Sequence, residues 1–283
     1  MEDALQLKHV TKRYRDYVLG DLNLTLPSGC ILGLIGENGA GKSTTIKSII
    51  GAVHPDAGEI RVLGCDNRAK EFLSVKQEMG VVLDEACFPN GMTPRQVSRM
   101  MKDIYENWEE ETFFSYLKRF DLPEGKMFQE FSRGMKMKLS LSAALSHSAK
   151  LLILDEPTGG LDPIARDDLL DVFMEFTRNE EHSILISSHI ISDLEKICDY
   201  VAFLHKGRLL FCEEKDVLEE GYGIVTLRKE DFAALVPEAV LSSRDTGYGV
   251  EALVRRDLMP KGIRTERAGI EKVMVTMAKE AGK

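Results

Sequence analysis

Eight consecutive residues, Gly36 to Ser43, read GENGAGKS and have the composition of a phosphate-binding loop. Glycines let a backbone wrap closely around an anion, successive N–H groups point at it, and a lysine neutralises its charge. The pattern G-x-x-x-x-G-K-[ST] works between a strand and a helix. Here an apolar run precedes it and a helical pattern, Lys42 to Ile50, follows. We therefore predict that Lys42 neutralises the β and γ phosphates of a nucleotide and that Ser43 holds Mg²⁺; a plain glycine-rich turn is the alternative.

Two apolar, strand-like runs end in polar residues that suit the same chemistry. LLILDEP, Leu151 to Pro157, ends in two adjacent carboxylates, and SILISSH ends in His189. The carboxyl ends of parallel strands form a ligand crevice, and buried strand tips do not normally carry unpaired charge. We expect Asp155 in the Mg²⁺ shell, Glu156 polarising the attacking water, and His189 donating to the γ-phosphate. A solvated acidic turn and a structural histidine are the alternatives.

A third stretch, FSRGMKMKL, places Ser132 and Gly134 at the start of a helical pattern whose first turns are cationic. A helix start carries unpaired N–H groups and the positive end of the backbone dipole, so acidic side chains are its usual neighbours. Arginine and lysine there indicate an anion that arrives from outside. An ordinary Ser-capped helix that packs within one chain is the alternative.

The elements that must position these residues form an α/β pattern. Three strand-like runs, LQLKHVTKRY, LGDLNLTL and CILGLIG, fill the opening of the chain. LLILD and SILISS suit strands buried on both faces of a parallel sheet, and a helical stretch from about Pro163 to Thr177 separates them. From about Ala86 to Lys150, longer charged and aromatic amphipathic segments predict a helical insertion.

The domain boundaries follow from these patterns. We place a main domain at residues 1–220, with its helical subdomain at about 86–150, and a small accessory domain at 221–283. The accessory domain contains two strand candidates, GIVTLR and GVEALV, and a helix candidate from about Glu266. We therefore expect a small α+β domain, whose role the pattern does not reveal.

Composition narrows the classes of partner. The chain has 283 residues and a formal net charge of −9, which argues against a general affinity for nucleic acid. It has no apolar run of the roughly 18 residues that a membrane span needs, and its acidic first residues do not resemble a signal peptide.

The five cysteines, at 30, 65, 87, 198 and 212, form no CxxC pair. We expect a cytosolic protein with reduced thiols and no cysteine-based metal cluster.

With these motifs in this order, the chain resembles the nucleotide-binding subunits of ATP-binding-cassette (ABC) transporters from about Leu5 to Gly221. GENGAGKST is similar to the Walker A loop, LLILDEP to the Walker B strand, and GGLDP, Gly159 to Pro163, to the D-loop. FSRGM occupies the place of the LSGGQ signature, and His189 matches the switch histidine.

The resemblance implies a P-loop NTPase core of mostly parallel sheet with an antiparallel β subdomain, and ATP and Mg²⁺ as cofactors. It implies catalytic roles for Lys42, Glu156 and His189. The nucleotide-binding residues that it implies are Tyr14, Gly36, Glu37, Asn38, Gly39, Ala40, Gly41, Lys42, Ser43, Thr44, Ser132, Gly134 and Asp162. The metal-binding residues that it implies are Ser43, Asp155 and Asp84. Tyr14, 28 positions before Lys42, matches an aromatic that stacks on adenine, and Tyr17 is the second choice.

Two positions depart from the family pattern. Asp84 stands where a glutamine follows the strand MGVVL in the family's Q-loop; a carboxylate can also ligate Mg²⁺, directly or through water, and a plain acidic loop is the alternative. Arg133 replaces the first of the two signature glycines. In the same motif Phe131 replaces the leucine and Met135 replaces the glutamine. The arginine is expected to add positive charge towards a phosphate.

The function implied by the resemblance is an ATPase subunit that dimerises on ATP and drives a separate permease, with export expected. In the dimer, Ser132 and Gly134 would bind the γ-phosphate held by the other copy, and Asp162 would touch that copy. We expect a homodimer held at the inner face of the cell membrane through the permease, which would dock near residues 84–93. A non-transport ABC ATPase and a regulatory ATP-binding module are the alternatives.

Overall fold

The computed structural model describes residues 3–84 and 88–281. It divides into two compact units, Met1–Leu209 and Leu210–Lys283. The two units meet at residues 209 and 210, whereas the sequence places the domain boundary after residue 220. That domain boundary stays a prediction. None of the helices in the described ranges combines the length and the apolar character that crossing a membrane requires.

The first unit alternates strands and helices along the chain. Its α-helices and strands are β1 (Asp3–Arg13), β2 (Val18–Pro27), β3 (Ile31–Ile35), α1 (Lys42–Ile49), β4 (Ala57–Val62), β5 (Cys65–Asp66), α2 (Phe72–Val75), β6 (Met79–Val82), α3 (Pro94–Ile104), α4 (Glu110–Arg119), α5 (Arg133–Ala144), β7 (Leu151–Asp155), α6 (Pro163–Phe176), β8 (Ser183–Ser188), α7 (Ile191–Ile197), β9 (Tyr200–His205) and β10 (Arg208–Glu214), the last of which continues into the second unit.

These strands form two sheets. One has the order β2-β1-β4-β5 with antiparallel pairing, and the other has the order β10-β9-β3-β8-β7-β6. In the second sheet β3 runs parallel to β8 and β9, and β7 runs parallel to β6 and β8. The predicted α/β class, with a mostly parallel sheet and an antiparallel β subdomain, is confirmed.

The central strands are apolar because both of their faces are covered. Every residue of β3, β7 and β8 is buried, as expected for interior strands of a parallel sheet. The register aligns Asp155 of β7 with Ser187 of β8, and Ser188 with Ile35 of β3. The carboxyl ends of the three strands therefore lie side by side, and the residues that follow them converge at one edge of the sheet.

The helices α3, α4 and α5 lie within the segment where the sequence predicts a helical insertion; residues 85–87, at its start, lie outside the described residues. Thr93 and Gln96 form a capping box at the start of α3, with Pro94 in its first turn. Phe113 of α4 and the nearby Phe128 are fully buried. Their burial anchors an amphipathic segment of aromatic and charged residues to the rest of the unit.

The second unit has its own sheet and its own apolar clusters. Its elements are α8 (Lys215–Gly221), β11 (Tyr222–Leu227), α9 (Lys229–Ala233), β12 (Val240–Asp245), β13 (Val250–Arg255), β14 (Glu266–Arg267) and α10 (Ile270–Ala281). The antiparallel sheet has the order β12-β13-β11-β14. The final helix begins at Ile270 rather than near Glu266, because Glu266 and Arg267 pair with β11. Sequence patterning also missed β12, whose residues are partly or fully exposed.

Cys30, Cys65, Cys198 and Cys212 remain thiols. Cys87 lies outside the described residues.

Candidate functional site

The glycine loop after β3 closes around its own lysine. Lys42 Nζ donates to the carbonyl oxygen of Gly36 at 2.7 Å, and the side chain is only 6% exposed. Helix α1 begins at Lys42 without a side-chain cap and without an acidic residue in its first turn, as far as the described residues show. Unpaired N–H groups at such a helix start attract an anion. The loop therefore has the charge and the donors that the phosphate prediction requires.

Glycine is required at position 41 for two reasons. Its φ of 115° lies in the region that side-chain-bearing residues avoid. A Cβ there would also lie 2.2 Å from the Tyr17 hydroxyl oxygen. That hydroxyl donates to the carbonyl oxygen of Ala40 at 2.7 Å, and burial raises the pKa of Tyr17. Tyr17 is therefore a protonated donor that braces the loop backbone.

Asp155 is the last residue of β7 and Glu156 follows it; Ser187 of β8 holds both. The Ser187 hydroxyl donates to Asp155 Oδ1 at 2.6 Å and accepts from the Glu156 N–H at 3.0 Å. Asp155 is 4% exposed. Glu156 has a φ of 51°, a left-handed conformation that is uncommon for residues other than glycine. This turn directs the Glu156 side chain towards the glycine loop.

Glu156 lies between Lys42 and His189. Its Oε2 accepts from His189 Nδ1 at 2.6 Å, and its Oε1 lies 3.1 Å from Lys42 Nζ. Oε1 is buried, and among the described residues no donor is aligned to hydrogen-bond with it despite the nearby ammonium group. The two charges attract one another, while the carboxylate keeps an acceptor for another partner. Glu156 is thus positioned to accept a proton.

A cavity of about 300 Å³ opens beside these groups. Its lining residues are Tyr17, Glu37, Asn38, Gly39, Gly41, Lys42, Ser43, Thr44, Asp84, Asp155 and Glu156. Gly36 and Ala40 adjoin it through their carbonyl contacts with Lys42 and Tyr17, and His189 adjoins it through Glu156. The structure therefore brings the loop residues and all the proposed metal-binding residues together.

The donors around this cavity fit Mg²⁺. Ser43, Asp84 and Asp155 offer a hydroxyl and two carboxylates, which are the hard oxygen ligands that Mg²⁺ prefers. Across residues 3–84 and 88–281, no cluster of three or more His, Cys, Asp or Glu side chains has the geometry to hold a metal alone. Mg²⁺ usually takes only one or two carboxylates and completes its shell with water and phosphate. The site therefore suits a metal that arrives with a nucleotide.

Ser132 and Gly134 do not line this cavity. The Ser132 hydroxyl caps α5 by accepting from the Met135 N–H at 3.2 Å, and the residue is exposed. A Cβ on Gly134 would lie 2.8 Å from Leu161 Cδ2, so a glycine allows α5 to approach the segment before α6. Within one chain, Ser132 therefore acts as the cap of α5, as the alternative interpretation expects. The start of α5 is nevertheless exposed.

Asp162 and Tyr14 also lie outside the cavity lining. Asp162 caps α6, because its Oδ1 accepts from the N–H groups of Ile164 and Ala165 at 3.1 and 3.0 Å. The Ala165 N–H, with smaller contributions from Ile164 and Lys138, holds the pKa of Asp162 below its ordinary value. Tyr14 is 45% exposed, and its ring lies 6.4 Å from that of Tyr17. The second choice, Tyr17, is the aromatic residue that lines the cavity.

Sequence reasoning missed two interactions at this site. The pattern of the strand SILISS assigns no role to Ser187, although polar residues at the end of a buried strand are a usable signal. The guanidinium of Arg133 forms an ion pair with Asp84, which joins the two positions that depart from the family pattern. No short-range signal connects residues that lie 49 positions apart.

Comparison with known proteins agrees with this geometry. The family model described as ABC transporter matches residues 19–159. The uncharacterized ABC transporter ATP-binding protein YhcH of Bacillus subtilis is 33% identical over 215 residues, covering 74% of this chain and 70% of its own length. The bacitracin transport ATP-binding protein BcrA of Enterococcus faecalis is 31% identical over 222 residues, covering 77% of this chain and 71% of its own length.

A solved structure points the same way. The ATP binding subunit of an ABC transporter aligns with a TM-score of 0.68 and 30% identity, covering 76% of this chain and 92% of its own. The fold, the phosphate-binding loop and these relatives agree with one another, so this chain belongs to the ABC transporter family, as one of its ATP-binding subunits.

Proposed function

We propose that this chain binds MgATP in the cavity beside Lys42, hydrolyses it with Glu156, and drives a separate membrane permease in export. The observation that carries the proposal is the contact series in which Glu156 lies between Lys42 and His189. A carboxylate held between a lysine and a histidine, at the edge of a phosphate-binding loop, is suited to accept a proton from a water molecule.

The chain's own groups account for the steps around the nucleotide. A γ-phosphate takes Lys42 as its counter-ion, which leaves Glu156 available to a water. Ser43, Asp155 and Asp84 would hold Mg²⁺, which would supply positive charge to neutralise the phosphates when bound. Ser187 fixes the Asp155 carboxylate by its hydrogen bond. A neutral imidazole has one N–H, so His189 in that form donates either to Glu156 or to the phosphate.

The exposed start of α5 supports a second copy as partner. Ser132 and Gly134 present a helix start away from their own chain's cavity, which suits the phosphate of a nucleotide held by another copy. Two identical copies would then each clasp the other's ATP, with Asp162 at the same contact. The homodimer forms when ATP is bound and separates after hydrolysis.

The permease is a different chain, and it holds this subunit at the inner face of the cell membrane. Its docking surface lies near residues 84–93, of which residues 85–87 lie outside the described residues. Similarity to a bacitracin transport ATP-binding protein supports a role in transport.

Hydrolysis and dimerisation test this function together. We expect the purified wild-type chain to hydrolyse ATP only with Mg²⁺, and E156Q to retain ATP binding, lose hydrolysis and accumulate an ATP-bound dimer in light scattering. K42A is the matched control, which loses nucleotide binding and so stays monomeric. A wild-type chain that binds ATP but never hydrolyses it, even with the co-purified permease, would instead be a regulatory ATP-binding module.

A pull-down tests the partner. We expect tagged protein to recover an integral membrane protein from solubilised membranes. Recovery of no such protein would contradict the transport function and favour a non-transport ABC ATPase.

A further inference from the structure

We infer that Arg133 positions the Asp84 carboxylate at the edge of its own chain's nucleotide cavity, and that a phosphate from a second copy draws Arg133 away. The inference rests on the proposed function. It assigns Arg133 a role within its own chain, in addition to any contact with the partner's nucleotide.

The first observation is the ion pair itself. Arg133 Nη2 donates to Asp84 Oδ1, with the two side chains 60% and 47% exposed. Asp84 lines the nucleotide cavity with Ser43 and Asp155. Arg133 directly follows Ser132, the cap of α5. One ion pair therefore links the helix start that faces a second copy to the metal-binding edge of the chain's own site.

The second observation is the path of the arginine side chain. A Cβ on Gly159 would lie 3.7 Å from Arg133 Nη2, and a Cβ on Gly160 would lie 3.6 Å from Nη1. The guanidinium therefore passes over the backbone that follows Glu156. These are ordinary van der Waals distances, so the guanidinium packs directly on this backbone. Arg133 therefore reaches Asp84 while lying against its own chain.

The third observation concerns the other end of α5. His147 Nε2 lies 3.0 Å from the carbonyl oxygen of Met79, at the start of β6, and Asp84 lies just beyond the end of β6. The segment from Met79 to Asp84 is therefore joined to α5 and its flanks at both ends.

The chemistry makes this pair exchangeable. An exposed ion pair is weak, whereas a guanidinium binds a phosphate through two charge-assisted hydrogen bonds. While Arg133 is paired, it offsets the negative charge of Asp84 beside the cavity. When a partner's phosphate engages Arg133, the Asp84 carboxylate becomes an uncompensated ligand for Mg²⁺ in its own site. The presence of a nucleotide in the partner's site would then change the charge at the metal-binding edge of this chain's own site.

Binding of ATP to the monomer, measured by calorimetry at low protein concentration with Mg²⁺ and with EDTA, tests the pairing. We expect R133Q to weaken metal-free ATP binding about threefold to tenfold more than MgATP binding, because an unpaired Asp84 repels the bare phosphates. R133K, which keeps the charge and loses the planar fork, should fall between wild type and R133Q. In a D84N background, R133Q should have no such selective effect.

The matched control is R119Q. Arg119 forms a comparable exposed ion pair with Glu175, at 2.6 Å and away from the cavity, so its loss should leave both affinities unchanged. An equal effect of R133Q in the wild-type and D84N backgrounds would overturn the pairing, even if the wild-type chain binds and hydrolyses ATP. Failure of the wild-type chain to bind ATP would instead overturn the proposed function.

Dimerisation tests the release of Arg133. In the E156Q background, D84N should strengthen the ATP-induced dimer, because Arg133 is already free to meet the partner's phosphate, and R133Q should weaken it. A dimer midpoint that D84N leaves unchanged, in sedimentation at several protein concentrations, would overturn this part.

Discussion

At the scale of single residues, the site depends on side chains that keep the backbone in conformations it would not otherwise hold. Glu156 has a left-handed φ, which costs free energy. The hydrogen bond from its N–H to Ser187 and the contacts of its carboxylate with Lys42 and His189 maintain that conformation. The strain is therefore offset by the same contacts that position the carboxylate for chemistry.

Tyr17 braces the glycine loop through its hydroxyl, and removal of that hydroxyl should loosen the loop. Y17F deletes the donor to the Ala40 carbonyl, which still accepts from the Gly207 N–H at 3.0 Å. We expect a loss of about 1 kcal/mol in the free energy of unfolding and a weaker affinity for ATP, measured by urea unfolding and calorimetry. Y14F keeps the exposed ring that is predicted to meet adenine and should change neither. Equal effects of the two substitutions would contradict the brace.

At the scale of elements, helix α5 connects the two halves of the proposed mechanism. Its start carries Ser132 and Arg133, and the residues after its end include His147. The His147 ring lies between the carbonyl oxygens of Ala143 and Met79, at 3.1 and 3.0 Å. It also stacks on Tyr105, with ring centroids 3.8 Å apart. The end of α5 is therefore fixed to β6 by a buried side chain rather than by an exposed ion pair.

This buried histidine predicts a pH dependence of stability. Burial lowers the pKa of His147 below its ordinary 6.5, against smaller opposing effects of its carbonyl contacts. The unfolded chain thus binds the proton at a higher pH than the folded chain, so the contribution of a neutral His147 is present above pH 6.5 and is lost as the pH falls. Urea unfolding between about pH 7.5 and about pH 5.5 measures how the free energy of unfolding changes with pH. H147Q should reduce that slope, by at most about 1.4 kcal/mol per pH unit. An unchanged slope in H147Q would assign the dependence to other groups.

At the scale of the whole molecule, function and stability are distributed over two units with separate cores. All of the described residues that line the cavity beside Lys42 belong to Met1–Leu209. The second unit has its own buried apolar clusters, around Val254 and around Leu253. A ligand that binds only folded protein stabilises the unit that binds it.

We therefore expect ATP to protect the two units unequally. At a nucleotide concentration about 100 times the Kd, the first unit should gain about 2.7 kcal/mol, measured as slower amide hydrogen exchange in β3, β7 and β8. L253A should destabilise the second unit by about 2 to 5 kcal/mol and leave the affinity for ATP unchanged. Equal protection of both units by ATP, or a weaker affinity in L253A, would contradict this separation.

Much of the fold was predictable because its signals are local. The glycine loop, the buried strands that lead to Asp155 and His189, and the periodic helices are each encoded by consecutive residues whose backbone preferences and spacing suffice. The second unit shows the limit of such signals, because its sequence patterns are weak. Its strand β12 is largely exposed and β14 is only two residues long, so neither carries a pattern that identifies it.

The sequence by itself determined that a loop with a phosphate-binding pattern, two carboxylates and a histidine lie at the ends of strands in a parallel sheet. Only the tertiary structure decided that Arg133 pairs with Asp84, that Tyr17 rather than Tyr14 lines the cavity, and that Ser187 holds Asp155. These contacts join residues far apart in the chain, and they depend on strand register and on how helices pack against the sheet. Local backbone preference fixes which element forms, whereas the partner of a side chain is fixed only when those elements are packed together.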